Sequence, residues 1–454
     1  MKKDSIPIKI REAMSIQAKY HETAVLDTSR PVHHFVSPAN RLIDVWGGIY
    51  HNGKYHLFYD TNHDNEPEKQ GGTFGHICSE DLVTWEHLPF ALLPETQKGE
   101  KQLNDGIVVI DPAGKPLMYY TRCFYDTKRN REHVAVRGSD DLLVWERLND
   151  GKAILTMENH GGPQFHMSWS DVVIFNDSGK TFMIISKCTS PETGGMIPIY
   201  EAVDDTWLKW KYKGIFAEHT GEVINFTKIK DKWVLIYSPY ANPKYFVGSF
   251  DAESGRFTAE NDGILSYGYV RQGSYDDISR GFYATSLYVN ADKPYITGWI
   301  SGFHEPKGWD GGISFTRVLD LDENNNLLMR PIPQLEKLRK SKIELNYDEP
   351  VNCPRSFELD MEFEIEINDE MIVSIQDSFE LTVSRNKVVF NDIEFEYNFE
   401  KQIKIQMYID VTIAEIFFDD GKISLTRCFP EIKNGTSLNI NSNAKLNKCD
   451  LYSI

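Results

Sequence analysis

The chain has 454 residues, 12% of them aromatic, and that length predicts two domains rather than one core. A net charge of −18 leaves no basic face for nucleic acid and suits a soluble protein acting on a small neutral ligand. The six cysteines contain no CxxC pair, which argues against a zinc site and for buried free thiols, and no run is long and apolar enough to span a membrane.

In chain order, residues 1–30 read as an N-terminal extension. It carries basic residues but no apolar signal core, so a cytoplasmic location is expected, or a secreted one if a leader has been removed. Strand signals then dominate. Residues 49–59 read as a hairpin around Asn52-Gly53. Asp44 lies just before it, beside Trp46, Gly47 and Gly48, where a hairpin mouth presents a carboxylate to a ligand. On local sequence alone an Asp near glycine is more often a turn residue.

Short runs rich in Val, Ile, Tyr and Phe follow, at residues 106–111, 117–121, 172–175, 182–186, 233–238 and 295–300. An internal repeat overlies them. Ser79-Glu80-Asp81-Leu82-Val83-Thr84-Trp85-Glu86 matches Ser139-Asp140-Asp141-Leu142-Leu143-Val144-Trp145-Glu146, with looser copies ending at Trp210 and Phe257. A period of about 60 residues with several strands per unit reads as propeller blades, each Trp a packing anchor between neighbours. Five such units fit residues 31–335. The best helical period is the short basic segment 333–340. Residues 341–454 alternate apolar and polar, as in Phe357-Glu358-Leu359-Asp360-Met361-Glu362, which predicts a sandwich of two antiparallel sheets with solvated acidic faces. The expected fold is therefore all-β, a five-bladed β-propeller followed by a C-terminal β-sandwich.

The inner strands of propeller blades line a central funnel, so carboxylates near the starts of successive blades converge. Asp44, Asp171 and Glu222 occupy comparable positions, each followed by an apolar strand. Cleaving a glycosidic bond needs two carboxyl groups in different environments, one ionised and one protonated, and a third can fix sugar hydroxyls. Spacing alone does not single these three out from 67 acidic residues.

With these residues in place, the chain resembles glycoside hydrolase family 32, the invertase and fructanase family, across nearly its whole length. Residues 34–47 align without gaps on the family's opening motif, roughly HFxPPxxWMNDPNG. Ser170-Asp171-Val172 falls at the family's Arg-Asp-Pro, and Glu222-Val223 at its Glu-Cys. Residues 298–301, Arg317, residues 328–335 and residues 409–421 match further motifs. The resemblance implies Asp44 as nucleophile, Glu222 as acid/base and Asp171 as the residue holding sugar hydroxyls. It also implies a retaining mechanism, with the Asp44 and Glu222 carboxyls about 5–5.5 Å apart, and neither metal nor cofactor.

Departures from the family cluster around the sugar. Arg41, Ile43, Val45, Trp46, Asp60, Phe74, Ser170 and Val223 replace the usual residues, and the Phe-Ser-Gly-Ser segment reads Leu103-Asn104-Asp105-Gly106. Trp46, Asp60, Phe74, Asn104, Asp105 and Ser170 are the candidate substrate contacts. Against that, Asn104-Asp105-Gly106 also reads as a turn, Asp60 as a solvated strand end, and Trp46 as a cap on the core. His76 and Arg137 are weaker candidates, His76 more plainly a structural histidine.

The expected function is a retaining, exo-acting glycoside hydrolase that removes a terminal furanoside-type sugar, β-fructoside first, from a small saccharide. A non-fructose glycosidase of the arabinofuranosidase or xylosidase kind, inverting, is one alternative. A sugar-binding propeller without turnover is another, and sugar transfer in place of hydrolysis a third. A small saccharide is the expected partner, with no nucleic acid and no membrane.

Overall fold

The structure is a computed structural model. It describes residues 6–64, 72–126, 131–165, 169–186, 188–190, 194–219, 221–271, 279–346 and 349–454. It is nearly all β. Among the described residues one α-helix occurs, Ile8–Ala24, and it is too short and polar to cross a membrane. The helix was not foreseen because its packing stripe is weak. It buries Ile10, Ala13, Gln17 and Ala24, where small and polar residues hide the period. Ile10 and Ala13 pack on Leu88, Phe90 and Leu143, so the N-terminal segment covers the outer strand of the first sheet. The basic segment 333–340 forms only a short 3-10 turn, Pro333–Leu338, ended where the backbone becomes extended at Arg339.

Five antiparallel sheets follow one another between residues 40 and 331. Their first long strands are Asn40–His51, Glu100–Ile110, Ser170–Asp177, Glu222–Ile229 and Ser279–Leu287, the last preceded by the two-residue strand Val270–Arg271. Each pairs with the next strand in sequence through a short turn. The first sheet also borrows Trp309–Asp310 in parallel, so a segment close to the last sheet lies beside the first strand of all.

The repeated aromatic is the joint between sheets, as expected. Trp145 sits edge-on to Phe58 of the first sheet, Trp210 edge-on to Tyr119 of the second, and Phe257 stacks on Phe216 of the third. Trp85 of the first sheet stacks on Tyr288, beside the fifth. The five first strands touch in a closed circuit, the fifth meeting the first. Their backbones come very close there. A Cβ on Gly48 would lie 2.5 Å from the Leu287 carbonyl oxygen, so only glycine fits.

Residues 341–453 form two six-stranded antiparallel sheets sharing one apolar core. Phe357, Leu359, Met361 and Phe363 point inward with no exposure. The expectation that the acidic residues here are solvated needs correction at three places. Glu358, Asp410 and Glu415 are fully buried. Arg339 donates to both Glu358 oxygens at 2.7 Å. Asp410 and Glu415 clasp His34, one on each ring nitrogen at 2.8 Å. Arg317 closes the set with a 2.6 Å ion pair to Glu415. Three motif residues of the sequence, His34, Arg317 and the 409–421 segment, thus meet in one buried network that joins the two parts of the chain. All six cysteines are free, five of them buried.

Candidate active site

The first long strand of each of the five sheets carries a register shift against its neighbour. In the first, Ile43 pairs with Asp60 and Val45 with Tyr59, so Asp44 is left between them. In the second, Asn104 pairs with Thr121 and Gly106 with Tyr120, leaving Asp105. In the third, Ser170 pairs with Ser186 and Val172 with Ile185, leaving Asp171. In the fourth, the irregularity lies between Glu222, opposite Ser238, and Asn225, opposite Ile236. In the fifth, Tyr283 pairs with Trp299 and Thr285 with Gly298, leaving Ala284.

A bulge breaks the alternation and re-aims a side chain. Here it also forces left-handed backbone, with φ of 43° at Asp44, 63° at Asp171, 49° at Val223 and 41° at Ala284. Each such residue costs about 1–3 kcal/mol, strain that clusters at functional sites. Three of the five bulges hold aspartate and a fourth adjoins Glu222. On strands that touch in a circuit, four carboxylates far apart in sequence stand at these bulges or beside them.

Neutral donors hold two of these carboxylates. Asp171 is 4% exposed, and its Oδ2 accepts from the Ser186 hydroxyl at 3.0 Å and from the Val223 amide at 2.9 Å. The second bond ties Asp171 to the residue after Glu222. Glu222 is 6% exposed. The Tyr240 hydroxyl donates to its Oε2 at 2.7 Å and the Tyr283 hydroxyl lies 3.1 Å from its Oε1. Burial, then the nearby Glu222 charge, push the Tyr283 phenol far above its usual range, so it keeps its proton and remains a donor. Asn225 ties the fourth inner strand to the fifth, donating to the Thr285 carbonyl at 2.7 Å and accepting from the Leu287 amide at 2.9 Å.

The five strands line a cavity of about 60 Å3, bounded by Gly48, Asp105, Asp171, Val172, Asn225 and Ser286 among others.

The candidate contacts divide. Asn104, Asp105 and Ser170 lie on inner strands at or beside the bulges, with Asp105 itself a bulged residue. Gln102 donates to Asn104 Oδ1 at 2.6 Å, and Arg131 donates from Nη1 to Ser170 Oγ at 3.1 Å. A guanidinium thus reaches the neighbour of Asp171 from the adjacent sheet, although position 170 is serine. Trp46 and Phe74 require correction as contacts. They are 2% and 0% exposed, Trp46 stacks on Phe58 and meets Phe74 edge-on at 4.3 Å, and neither offers an open ring face. Their bulk fills the wedge between the first two sheets. Asp60 accepts from the Trp46 indole at 3.1 Å and is 6% exposed, so it is not a solvated strand end.

His76 is fully buried, stacked on Phe58 and bonded to His56 at 3.0 Å. Arg137 pairs with Asp111 at 2.6 Å, at the opposite end of its sheet's first strands from Asp105. Sequence reasoning missed Tyr240, Tyr283, Ser186 and Arg131. Ser186 lay inside the run 182–186, but its facing depends on a bulge that alternation does not reveal, and Tyr283 lay in none of the runs. Tyr240 follows Pro239 in a loop and carries no periodic signal.

Comparison with known proteins agrees with this geometry. The model of the glycosyl hydrolases family 32 N-terminal domain matches residues 34–331. A sucrose-6-phosphate hydrolase of Escherichia coli is 23% identical over 93% of this chain and 94% of its own length. Among solved structures, sucrose-6-phosphate hydrolase from Lactobacillus gasseri superposes with a TM-score of 0.82, at 19% identity, covering 97% of this chain and 96% of the other. A β-fructofuranosidase from Bombyx mori gives 0.80, at 19% identity and 98% coverage of both chains.

Proposed function

The chain belongs to glycosyl hydrolase family 32, and from that premise we propose that it is a retaining hydrolase of terminal β-fructofuranosides in small saccharides. We read the five sheets as blades of a propeller over residues 31–335, and residues 341–454 as a sandwich domain that supports it. The observation carrying the proposal is the repeated bulge. Asp44, Asp105 and Asp171 each stand in a bulge of one of these strands and Glu222 stands beside a fourth, which supports reading them as one site.

In this reading Asp44 attacks the anomeric carbon while Glu222 gives its proton to the departing sugar oxygen. The glycosyl–Asp44 ester forms and the glycosidic bond breaks. Glu222, now a carboxylate, takes a proton from water, whose oxygen displaces Asp44 and restores the starting state. Asp171, held by Ser186 and the Val223 amide, accepts from sugar hydroxyls and steadies charge on the ring as the bond breaks. Asn104, Asp105 and the Arg131–Ser170 pair supply further polar contacts. The proteins similar to this one act on sucrose 6-phosphate or are β-fructofuranosidases by name, which supports the fructosyl unit as the group transferred to water.

The test is sugar release from sucrose, sucrose 6-phosphate, inulin and levan oligosaccharides, arabinosides and xylosides by wild type, Asp44→Asn and Glu222→Gln. Fructose released first as the retained anomer, by wild type alone, is the expected result. Release of an inverted product, or of a pentose, would overturn the assignment. So would turnover that survives both substitutions.

A further inference from the structure

Tyr240 stands on the loop directly after the strand Lys232–Ser238 and reaches Glu222 twice. Its hydroxyl donates to Glu222 Oε2 at 2.7 Å. Its backbone amide donates to the Tyr283 hydroxyl oxygen at 2.8 Å. That hydroxyl in turn lies 3.1 Å from Glu222 Oε1 and 3.0 Å from the Ser238 carbonyl oxygen. One residue therefore anchors both carboxylate oxygens, one directly and one through Tyr283. The arrangement needs the amide and the ring of Tyr240 to point at the same pair of partners, and φ there is 59°, a strained value for an aromatic residue. Tyr240 is 37% exposed, unlike the 2% of Tyr283, so the core does not account for its placement. The Arg271 guanidinium lies 4.5 Å over the Tyr240 ring, and a cation there draws charge from the phenol and strengthens its O–H as a donor.

Resting on the assignment of Glu222 as acid/base, we propose that Tyr240 is the positioning residue for Glu222, and that with Arg271 behind it Tyr240 sets the upper pH limit of turnover. A neutral hydroxyl suits the task. It donates while Glu222 is a carboxylate and turns to accept when Glu222 carries the proton, which a fixed cation cannot do. Among the described residues, these charged and titratable groups face Glu222. Tyr240 and Tyr283 touch it, Tyr269 stacks on Tyr283 at 4.2 Å, Arg271 backs Tyr240, and Asp171 binds the Val223 amide next door. Asp44 stands in the bulge of the first inner strand. Of the two tyrosine hydroxyls, that of Tyr240 makes the shorter bond to Glu222 and belongs to the rim.

A bond donated to the carboxylate favours its ionised form, so removing it lets Glu222 hold its proton to higher pH. The experiment is the pH profile of kcat/KM for wild type, Tyr240→Phe, Tyr240→Ala and Arg271→Gln, on whichever saccharide wild type turns over, with Glu222→Gln as reference. Tyr240→Phe removes one half-exposed oxygen and leaves the fold intact. The alkaline limb should move up by about one pH unit, with kcat lowered and KM little changed. Arg271→Gln should move the limb the same way by less. Tyr240→Ala should add a larger loss of kcat. An alkaline limb that stays in place in Tyr240→Phe overturns the proposal while leaving the acid/base assignment standing. If Glu222→Gln retains wild-type turnover, the assignment fails and the proposal fails with it.

Discussion

Asp410 and Glu415 are as deeply buried as Asp171 and Glu222, yet the two pairs are held by opposite means. The first pair answers to cations. His34 bridges both carboxylates and Arg317 adds a second positive charge to Glu415. Three successive backbone amides, from Val32, His33 and His34, also donate to Asp410. Charges so paired cannot change state cheaply, and the network joins the two parts of the chain. Asp171 and Glu222 accept from hydroxyls and an amide, donors that steady a carboxylate without neutralising it. Under the proposed function such groups stay available to attack, to protonate and to bind. The two pairs are both buried and differ in the donors described for each.

The sharpest way to break this comparison is Asp44→Asn. Turnover should fall by at least about 10⁴-fold, equivalent to about 5.5 kcal/mol in the barrier. Stability should fall much less than activity, because the substitution keeps the size of the side chain in a strained bulge and removes only its charge. Parallel activity assays and urea unfolding check this. A variant that loses stability in step with activity would place Asp44 with Asp410 and Glu415 instead.

The mirror experiment is Arg317→Met. It leaves Glu415 fully buried with His34 as its one remaining cation, and breaking a buried pair in this way costs about 3–5 kcal/mol. Urea unfolding should show the loss, while the residual folded protein keeps its KM. The same cost without Glu415 charged, in Arg317→Met/Glu415→Gln, should be smaller.

These two sites were legible in the sequence to very different degrees. The order of short motifs marked Asp44, Asp171 and Glu222, and the Trp85, Trp145 and Trp210 repeat marked the joints between sheets. Both signals survive because they sit at fixed points of a repeated unit. What distinguishes the site, the bulge repeated in five strands, depends on register, and no alternation of residue types reveals an extra residue. Glu358, Asp410 and Glu415 were misplaced for a related reason. On a strand read by alternation, a charged residue looks solvated unless its partner is known, and those partners lie between 19 and 381 residues away in sequence. Trp46 and Phe74 looked like sugar contacts because they adjoin motif positions, but two wide aromatic rings were needed to fill the wedge between sheets.

The His34 network also predicts a pH dependence of stability. Burial by itself would lower the His34 pKa, but the bonds to Asp410 and Glu415 raise it to about 9. A raised value means the protonated form is favoured by folding. The stability it contributes is complete below about 6.5 and is lost as pH rises through about 9. The change amounts to about 3 kcal/mol at most, part of it shared with the two carboxylates. Unfolding measured from pH 6 to pH 10 should therefore show a decline that His34→Gln flattens. A wild-type curve as flat as that of the variant would show that His34 is neutral in the folded protein, and the cationic side of the comparison would then rest on Arg317 alone.

The smallest effect is the most direct test of the neutral-donor side. Ser186→Ala removes the hydroxyl that donates to Asp171 Oδ2 at 3.0 Å but leaves the Val223 amide on the same oxygen. One bond to a charged group is worth about 1.5 kcal/mol, so kcat/KM should fall about tenfold. The fold should hardly respond, since Asp171 keeps its amide donor. Ser186→Thr restores the donor and should recover most of the activity. A Ser186→Ala variant that loses stability but not turnover would mean that Asp171 is braced for the fold, as Asp410 is, and that neutral donors alone do not mark a carboxylate as functional.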